Sequence, residues 1–471
     1  MNIDLLIKNG HVVDPLNKVN KIADVALAEG KVLQVAEDLD PTNAKEVIDA
    51  SGLMVTPGIV DPHVHVVPEG AGGLSFHMLL RKGVTTTLDM AGPIGMFLDE
   101  AKNYGCGINA GCLQSLAPKR DLKGEDASAA EIGEAIDKAL AAGAFGIKIM
   151  GGHFPFTPET TGRIIEEADK RGAYIAFHAG STVNGSNINA VEEALELAGN
   201  HPLHLAHANA YCRGQVEDVL MENKRLLEGL KKKPNVISES YLSVMNGTGA
   251  LINKETGRAA SGVTRMWLER KGYTTDKAGM AKAIKDGWCC IYGPVGSEML
   301  YLSPEEGFKY WESKDTDVWC SFPVNSPVTM VNCATARRDD GSFVVNALCT
   351  DGGFIPRNVI LENGLRLAQM RYMELEDVIA KATYCGARMV GLTNKGHLTP
   401  GADGDVAIFH SCGKVQYTII SGQVRMAAGI CFDGPGRVFT SKQGQAAVQN
   451  NGLDCIVPDL AQSDYLKGHA R

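Results

Sequence analysis

Two histidines spaced two residues apart end one short apolar run of this sequence. The run is Gly58 to His65 (GIVDPHVH), and it ends in His63, Val64 and His65. Alternate side chains of a β-strand point to the same side, so both imidazoles can face one cation. Neutral imidazole is a common metal ligand, and the spacing therefore predicts part of a metal site. An isolated His-x-His pair also arises readily by chance, so the other strand ends must decide between the two interpretations.

A lysine stands inside a second apolar run, Gly146 to Met150 (GIKIM). Burial of an unpaired ammonium group is costly, so we expect Lys148 to have a lowered pKa. Its neutral amine can then react with CO₂ to give a carbamate, whose two oxygens can bridge two cations. The sequence therefore predicts a carboxylated Lys148 that bridges two divalent metal ions. The alternative is a lysine that reaches the surface or pairs with an acid.

Three more ligand-type residues end apolar runs. His178 ends AYIAFH, His207 ends LHLAH and Asp351 ends VNALCTD. Each of them alone would more often be structural. With the two histidines and the lysine above, they place six ligand-type groups on five predicted strand ends, which is far more specific than any single residue. Zinc suits imidazole and carboxylate ligands, although the same set accepts manganese, cobalt or iron.

Such a centre predicts hydrolytic chemistry. Two cations can share a hydroxide, because together they lower the pKa of bound water toward neutrality. We expect this bridging hydroxide to attack a carbonyl, and Asp351 to take its proton and return it to a departing amide nitrogen. His153, in GGHFPF after the strand of Lys148, is a candidate donor to the developing oxyanion. The alternative for His153 is a loop histidine that faces solvent.

Candidate residues for substrate binding lie near the same strand ends. Arg357 in DGGFIPRN is the first candidate for a substrate carboxylate, because a guanidinium group matches a carboxylate in bidentate geometry. Asn209, two residues after His207, and Ser240, at the end of ISESY, are weaker candidates. His77 is a further residue that could look toward the site from a helix.

The elements that must position these residues are eight short apolar runs without alternation, which are typical of parallel strands covered on both faces. Helical segments such as residues 127–141 separate them, so the predicted fold class is α/β, a (β/α)₈ TIM barrel. Active sites of such barrels lie at the C-terminal strand ends, where the six ligand-type groups fall. The predicted strands are Gly58–His65, Thr85–Met90, Gly107–Cys112, Phe145–Met150, Ala173–His178, Leu203–His207, Asn235–Tyr241 and Val345–Asp351.

The two chain ends and one long interval lie outside the barrel pattern. Residues 1–55 and 397–440 carry β-rich runs with turn glycines, which predicts a small composite β-sandwich domain. The barrel is expected over residues 56–396, and its interval 242–342, between strands seven and eight, is expected to be an inserted lid subdomain with an aromatic core of its own. The polar tail 441–471 is interpreted as an arm packed on another subunit.

Composition excludes several classes of protein. The 471 residues carry 46 Lys and Arg against 55 Asp and Glu, a net charge of −9 that offers nucleic acid no general partner. No apolar run approaches the roughly 18 residues that cross a bilayer, and Met1 to Gly10 lacks a basic start and a cleavage site. The 12 cysteines include no Cys-x-x-Cys pair and are expected to be reduced thiols. We therefore expect a cytoplasmic protein that acts on a small molecule, without nucleic acid or membrane partners.

The segments VTPGIVDPHVHV and GADGDVAIF resemble the amidohydrolase superfamily of metal-dependent hydrolases. The resemblance covers nearly the whole chain except the tail, and it implies a barrel with a composite β-sandwich and a homo-oligomer. It also implies the ligand arrangement: His63 and His65 on one metal ion, His178 and His207 on the other, a carboxylated Lys148 between them, and Asp351 at the first metal ion.

Several short sequence segments resemble one branch of this superfamily. GAFGIK, ISESYL and the long insertion are similar to the N-acyl-D-amino-acid deacylases. Those enzymes typically place a metal-bridging cysteine after GVTT, where this chain has Ala91. The resemblance therefore implies that Lys148 bridges the metal ions, as the corresponding lysine does in dihydroorotases and hydantoinases. The expected function is hydrolysis of a C–N amide bond outside a peptide chain, in a small N-acyl amino acid. Ring opening of a cyclic amide or ureide is the alternative, ester hydrolysis stays open, and a non-catalytic scaffold is disfavoured because such proteins lose metal ligands.

Overall fold

A computed structural model of the protein describes residues 2–67 and 73–468. The strands are β1 (Ile3–Asp14), β2 (Val19–Ala28), β3 (Lys31–Ala36), β4 (Ala44–Asp49), β5 (Met54–Pro57), β6 (Ile59–His65), β7 (Val84–Asp89), β8 (Asn109–Leu116), β9 (Gly146–Met150), β10 (Tyr174–His178), β11 (Leu203–Leu205), β12 (Val236–Tyr241), β13 (Thr248–Gly249), β14 (Cys290–Val295), β15 (Glu298–Tyr301), β16 (Trp319–Ser321), β17 (Ala347–Cys349), β18 (Gly352–Gly353), β19 (Val406–Phe409), β20 (Val415–Ile420), β21 (Gln423–Ala427), β22 (Ile430–Cys431), β23 (Arg437–Phe439) and β24 (Asp454–Ile456).

The α-helices alternate with the barrel strands and also fill the insertion and the tail. They are α1 (Leu74–Leu80), α2 (Ile94–Tyr104), α3 (Ala129–Ala141), α4 (Pro158–Lys170), α5 (Ile188–Ala198), α6 (Val219–Lys232), α7 (Gly262–Arg270), α8 (Lys277–Lys285), α9 (Pro304–Ser313), α10 (Pro327–Thr335), α11 (Ile360–Gln369), α12 (Leu375–Ala382), α13 (Tyr384–Met389), α14 (Gln445–Asn450) and α15 (Asp464–Lys467). Local sequence fixes several starts: the side chains of Ser128 and Thr157 accept backbone N–H groups at the beginnings of α3 and α4.

Eight parallel strand positions form a nearly closed barrel, which confirms the predicted TIM-barrel fold. The hydrogen-bonded order is β17, β12, β11, β10, β9, β8, β7, β6 and β18. The short strands β17 and β18 are two parts of the eighth strand, and Gly353 of β18 pairs with His65 of β6. Asp351 interrupts this strand with a left-handed backbone (φ 47°). All eight predicted strands overlap observed ones.

The two ends of the chain meet in a separate nine-stranded sheet. One edge of the long β1 pairs with β2, and β4 and β5 follow one another along its other edge. Strand β19 pairs with β5 and so joins the C-terminal strands β19 to β22 to the N-terminal ones. The sheet has its own core, which includes Leu5, Val25, Val55 and Ile408. Because β1 is long enough to hold two partners on one edge, the strands are linked in one continuous sheet.

The interval between β12 and β17 holds an insertion with a four-stranded sheet of β13, β16, β14 and β15. It also carries α7, α8 and α9. Trp267, Met280, Ile291, Trp311 and Phe322 form part of a hydrophobic core that is separate from the barrel core. The insertion therefore packs around its own aromatic side chains.

The tail packs against the barrel of the same chain. Strand β23, directly before the tail, pairs with β8, and β24 of the tail pairs with β23. Tyr465 is buried with its ring stacked on Tyr174 at 4.2 Å between centroids, and its hydroxyl accepts a hydrogen bond from the Ile175 backbone N–H. These contacts lie at the N-terminal end of β10, at the opposite end of the barrel from the predicted site. The sequence suggested an arm packed on another subunit, whereas these tail residues contact their own barrel. Tail residues 469–471 lie outside the described part of the chain. Within the described ranges, the structure contains no helix of the length and apolarity that a bilayer crossing requires.

Candidate metal centre

Two histidines and one carboxylate meet where β6 and the eighth strand end. Oδ1 of Asp351 lies 3.3 Å from Nε2 of His63 and 3.0 Å from Nε2 of His65. The left-handed backbone at Asp351 interrupts the strand there. The three side chains predicted for the first metal ion therefore converge on one carboxylate oxygen.

The other two predicted histidines lie beside this group. Nε2 of His207 is 3.2 Å from Nδ1 of His178, and the second ring nitrogen of His178 is 2.8 Å from the Ser186 hydroxyl. The rings of His207 and His63 stack with centroids 5.3 Å apart. Ligand atoms of His63, His207 and Asp351 all lie within 4.8 Å of one another. The structure thus brings the four histidines and Asp351 into one cluster.

Lys148 is buried on β9 beneath the same cluster. Its Nζ lies 3.2 Å from the Met90 sulfur, and the described residues place no carboxylate within 4 Å of it. Burial lowers the pKa of Lys148 to about 8, although the charges of Glu239 and Asp351 act in the opposite direction. The lysine neither reaches the surface nor forms an ion pair, so the alternative interpretation of its sequence context is wrong.

The hydrogen bonds of His63 show whether this cluster suits a cation. Its Nδ1 lies 2.5 Å from Oε1 of Glu239, which places the ring proton on Nδ1. Burial lowers the pKa of His63 to about 4, so the ring is neutral and its Nε2 presents a lone pair. That lone pair faces the Asp351 carboxylate, and two acceptors at 3.3 Å repel one another unless a cation lies between them. The donor set therefore fits a divalent metal ion.

The state of His207 and His178 also fits a divalent metal ion at the cluster. Nδ1 of His207 is buried and has no hydrogen-bond partner among the described residues. Burial also holds the pKa of His207 and the pKa of His178 well below the ordinary value of an imidazole. Both rings are therefore neutral near pH 7, which is the form that ligates a metal.

Glu239 is a site residue that sequence analysis does not identify. It is fully buried on β12, and its carboxylate accepts from Nδ1 of His63, from the backbone N–H of His207 at 2.9 Å and from Nε2 of His204 at 2.6 Å. Burial alone would raise the pKa of Glu239, but His204 and His63 hold it well below the usual range. A carboxylate inside the apolar run VISESY is the same signal that singles out Lys148, and it could have found Glu239.

Arg357 lies at the cleft but is engaged with Asp351. Its Nη2 is 2.6 Å from Oδ2 of Asp351, its Nε donates to the Asp351 carbonyl at 2.7 Å, and its Nη1 donates to the Met245 carbonyl at 2.9 Å. Although burial alone would raise the pKa of Asp351, Arg357 and the neighbouring histidines hold it well below the usual range. Arg357 therefore keeps the Asp351 carboxylate ionised and oriented, and most of its donors are occupied.

The remaining predicted residues divide into two groups. His153 lines the cleft with its ring 5.4 Å from that of His178, and it is exposed there, so it is a loop histidine that is open to solvent as well as to the cleft. Asn209 and Ser240 do not line the cleft. Oδ1 of Asn209 instead accepts the backbone N–H of Tyr241 at 3.0 Å, and Ser240 alternates with the inward-facing Glu239 and Tyr241. Strand alternation therefore turns Ser240 away from the position that its sequence neighbourhood suggested.

His77 also lies away from the cleft lining. Its Nε2 is 2.7 Å from Oδ1 of the exposed Asp433, near the buried Cys106. The interpretation of His77 as a helix residue that looks toward the site is wrong, because α1 directs it toward the loop after β22.

The cleft above the cluster has a volume of about 290 Å³. Its floor is the cluster of candidate metal ligands, and its walls include His153, Tyr241 and residues of the insertion such as Met266. Arg213, Gln215 and Asn246 also line it, and sequence analysis singles out none of these three.

Comparisons with known proteins are consistent with this geometry. A family model described as "Amidohydrolase family" matches residues 54–425. The chain belongs to the amidohydrolase family. This confirms the resemblance found in VTPGIVDPHVHV. An allantoinase of Escherichia coli O1:K1 / APEC is 37% identical over 95 residues, which are 19% of this chain and 20% of that protein. The chain thus matches about a fifth of the length of this curated relative.

Three solved structures are similar over most of the chain. D-aminoacylase, described with a binuclear metal centre, aligns with a TM-score of 0.65 and 16% identity over 93% of this chain and 99% of that one. N-acyl-D-glutamate deacylase from Bordetella bronchiseptica, complexed with zinc and a phosphonate inhibitor, has a TM-score of 0.63 and 17% identity, with 93% and 99% covered. D-hydantoinase has a TM-score of 0.60 and 17% identity, with 93% and 98% covered. At these identities the likeness shows that this amidohydrolase shares their fold.

Proposed function

We propose that the protein is a metal-dependent hydrolase that cleaves the C–N amide bond of a small N-acyl amino acid. The observation that carries the proposal is the lone pair of His63 turned toward the Asp351 carboxylate at the floor of the cleft, with three more imidazoles around it. The similarity of the fold to D-aminoacylase and to N-acyl-D-glutamate deacylase supports a linear acyl substrate.

Two divalent metal ions, with zinc as the first candidate, would be held by His63, His65, His178, His207 and Asp351, and by a carboxylated Lys148. Bound there, they would supply an activated water and polarise the scissile carbonyl. The neutral, buried amine of Lys148 supports carboxylation by CO₂, because the uncharged form is the one that reacts.

Three residues of this chain have further roles in the proposed reaction. Asp351 is the base that accepts a proton from the attacking water and returns it to the leaving nitrogen, since Arg357 holds its carboxylate ionised at the cleft floor. His153 stands at the cleft wall beside His178, where it can donate to the developing oxyanion. Glu239 holds the rings of His63 and His204 and the backbone of His207 in place, so it is a positioning residue.

Mass spectrometry of pooled substrates tests the proposal. The protein is loaded with zinc and bicarbonate and incubated with N-acyl D- and L-amino acids, cyclic ureides and lactams. Release of the free amino acid and the carboxylic acid reports hydrolysis of a linear compound, and the gain of one water mass reports ring opening. Turnover of linear N-acyl compounds, lost when a chelator removes the metal and restored by zinc, is the expected result. Absence of any hydrolysis by a preparation that contains stoichiometric metal would overturn the proposal.

Ring opening of a cyclic amide or ureide is the second candidate function. The fold similarity to D-hydantoinase and the lysine in place of a strand-two cysteine favour it. Both reactions pass through a tetrahedral intermediate at a carbonyl, so the metal ligands do not discriminate between them. Turnover of the cyclic members of the pool without the linear ones would assign this function instead.

A further inference from the structure

The wall of the cleft carries hydrogen-bond donors that have no acceptor. Nδ2 of Asn246 is buried without a partner among the described residues, and so is Nε2 of Gln215. Asn246 is only 4% exposed, and its amide orientation is fixed because its Oδ1 accepts the Phe322 backbone N–H at 2.7 Å. An unpaired buried donor is costly, so both groups point to a ligand that supplies acceptors.

Arg213 adds a positive charge to the same wall. Its Nε donates to Oδ1 of Asn325 at 2.8 Å and its Nη2 lies 3.3 Å from the Tyr241 hydroxyl, so both contacts are to neutral groups. Within residues 2–67 and 73–468 it forms no ion pair. Asp351 is the one carboxylate among the described lining residues, and Arg357 already neutralises it. The charge of Arg213 therefore has no counter-ion in the cleft.

Short connections hold these donors together. Asn325, which orients Arg213, donates its side-chain amide to the carbonyls of Ser243 and Met245, directly before Asn246. The first residues of α7, Gly262 and Val263, also line the cleft. The first N–H groups of a helix lack intrahelical acceptors and favour an anion. A guanidinium, two orphan amides and a helix start thus form one surface of donors.

We propose that this surface, formed by Arg213, Gln215, Asn246 and the start of α7, binds the carboxylate of the substrate. The inference deepens the proposed function, since it makes the substrate an anion whose amide carbonyl reaches the metal-ligand cluster. It also replaces Arg357 as the carboxylate anchor: Arg357 is occupied by Asp351, whereas Arg213 retains free N–H groups. Oxygen atoms of one carboxylate can accept from a guanidinium and from both amides at once.

Arg213→Gln tests the assignment with a matched control. Arg270 also lies over the Trp267 ring, at 5.8 Å against 5.9 Å for Arg213, but it does not line the cleft. Arg270→Gln therefore reproduces the loss of a cation on Trp267. Because Nη2 of Arg270 donates to the Gly214 carbonyl at 2.6 Å, this variant also reports any displacement of the loop that carries Arg213 and Gln215. The substrates are an N-acyl amino acid that the protein turns over and its neutral primary amide.

The wild-type enzyme is expected to prefer the free acid, and Arg213→Gln to lower kcat/KM for the acid by about 10- to 100-fold, mainly through KM. The neutral amide should change less than about threefold. Arg213→Lys keeps the charge and loses the planar guanidinium, so its kcat/KM for the acid should lie between those of the wild type and Arg213→Gln. Arg270→Gln should keep the wild-type preference for the acid. Equal losses for acid and amide in Arg213→Gln and Arg213→Lys, or a wild-type enzyme indifferent to the carboxylate, would overturn the inference.

Calorimetric binding of the same two compounds separates this inference from the proposed function. Binding of the acid that depends on Arg213, in a protein that hydrolyses no C–N bond, would defeat the function and keep the carboxylate surface. Hydrolysis of N-acyl compounds with no dependence on Arg213 would keep the function and defeat the surface.

Discussion

Replacement of Glu239 by glutamine should weaken metal binding although Glu239 is not itself a predicted ligand. Its two oxygens accept ring N–H groups from His63 and His204, at 2.5 and 2.6 Å, and Oε1 also accepts the His207 backbone N–H. A glutamine offers one oxygen and one NH₂ group, so one of the two rings meets a donor instead of an acceptor. If His63 turns its proton to Nε2, it loses the lone pair that faces Asp351.

The expected loss of zinc affinity is about 10- to 100-fold, the usual effect of removing a carboxylate that orients a ligating histidine. Because each tenfold change in affinity corresponds to about 1.4 kcal/mol, this is about 1.4 to 2.8 kcal/mol of binding free energy. Competition with a chromophoric chelator measures the affinity, and thermal unfolding of the metal-free protein reports any general damage. The buried location makes a loss of stability in Glu239→Gln expected as well.

Glu167→Gln is the control for Glu239→Gln. Glu167 is also a buried glutamate, but it lies on α4 and pairs with Lys170 and Arg171 outside the cleft. Its replacement should leave zinc affinity within about twofold of wild type. Zinc affinity in Glu239→Gln equal to that of the control would refute the argument that Glu239 fixes the metal-binding tautomer of His63.

Three further predictions follow from the same contacts. Lys148→Ala should lose most activity and at least one metal ion, with partial rescue by added short carboxylates, as measured by elemental analysis and turnover; full activity in this variant would exclude the dinuclear proposal. Since the pKa of Lys148 is lowered to about 8, a ¹³C carbamate signal in metal-free protein, with labelled bicarbonate adjusted to give the same dissolved CO₂ at each pH, should appear about tenfold faster at pH 9 than at pH 7 and level off above pH 9; a rate that still rises tenfold per pH unit above pH 9 would contradict the lowered pKa. Tyr465→Phe should lower the free energy of unfolding by about 1 to 3 kcal/mol in denaturant titrations, because the buried Ile175 N–H loses its acceptor, while zinc affinity stays unchanged.

Much of the fold and the strands that carry the candidate ligand residues could be predicted from the sequence, because both depend on short-range pattern. An apolar run such as AYIAFH is a buried parallel strand wherever it occurs in a barrel, and its last residue must lie at the C-terminal end where active sites form. The structure accordingly places His178 at the end of β10, while Lys148 lies in the middle of the adjacent strand β9, opposite Ala176.

Partners that are distant in sequence could not be predicted in this way. Glu239 is 176 residues from His63, and Arg213 is 112 residues from the Asn325 that orients it. Ser240 and Glu239 are neighbours with the same sequence environment, and only strand alternation within the closed barrel sends one toward the metal ligands and the other away.

The sequence by itself therefore determined which strands form and which imidazole, lysine and carboxylate groups stand on them or directly after them. The tertiary structure alone decided what each polar group faces: Arg357 faces Asp351, the tail faces its own barrel, and Arg213 faces an open cleft. The physical reason is that strand formation follows local hydrophobic periodicity, whereas the pairing of charges and hydrogen bonds depends on which distant segments the packed fold brings within about 3 Å.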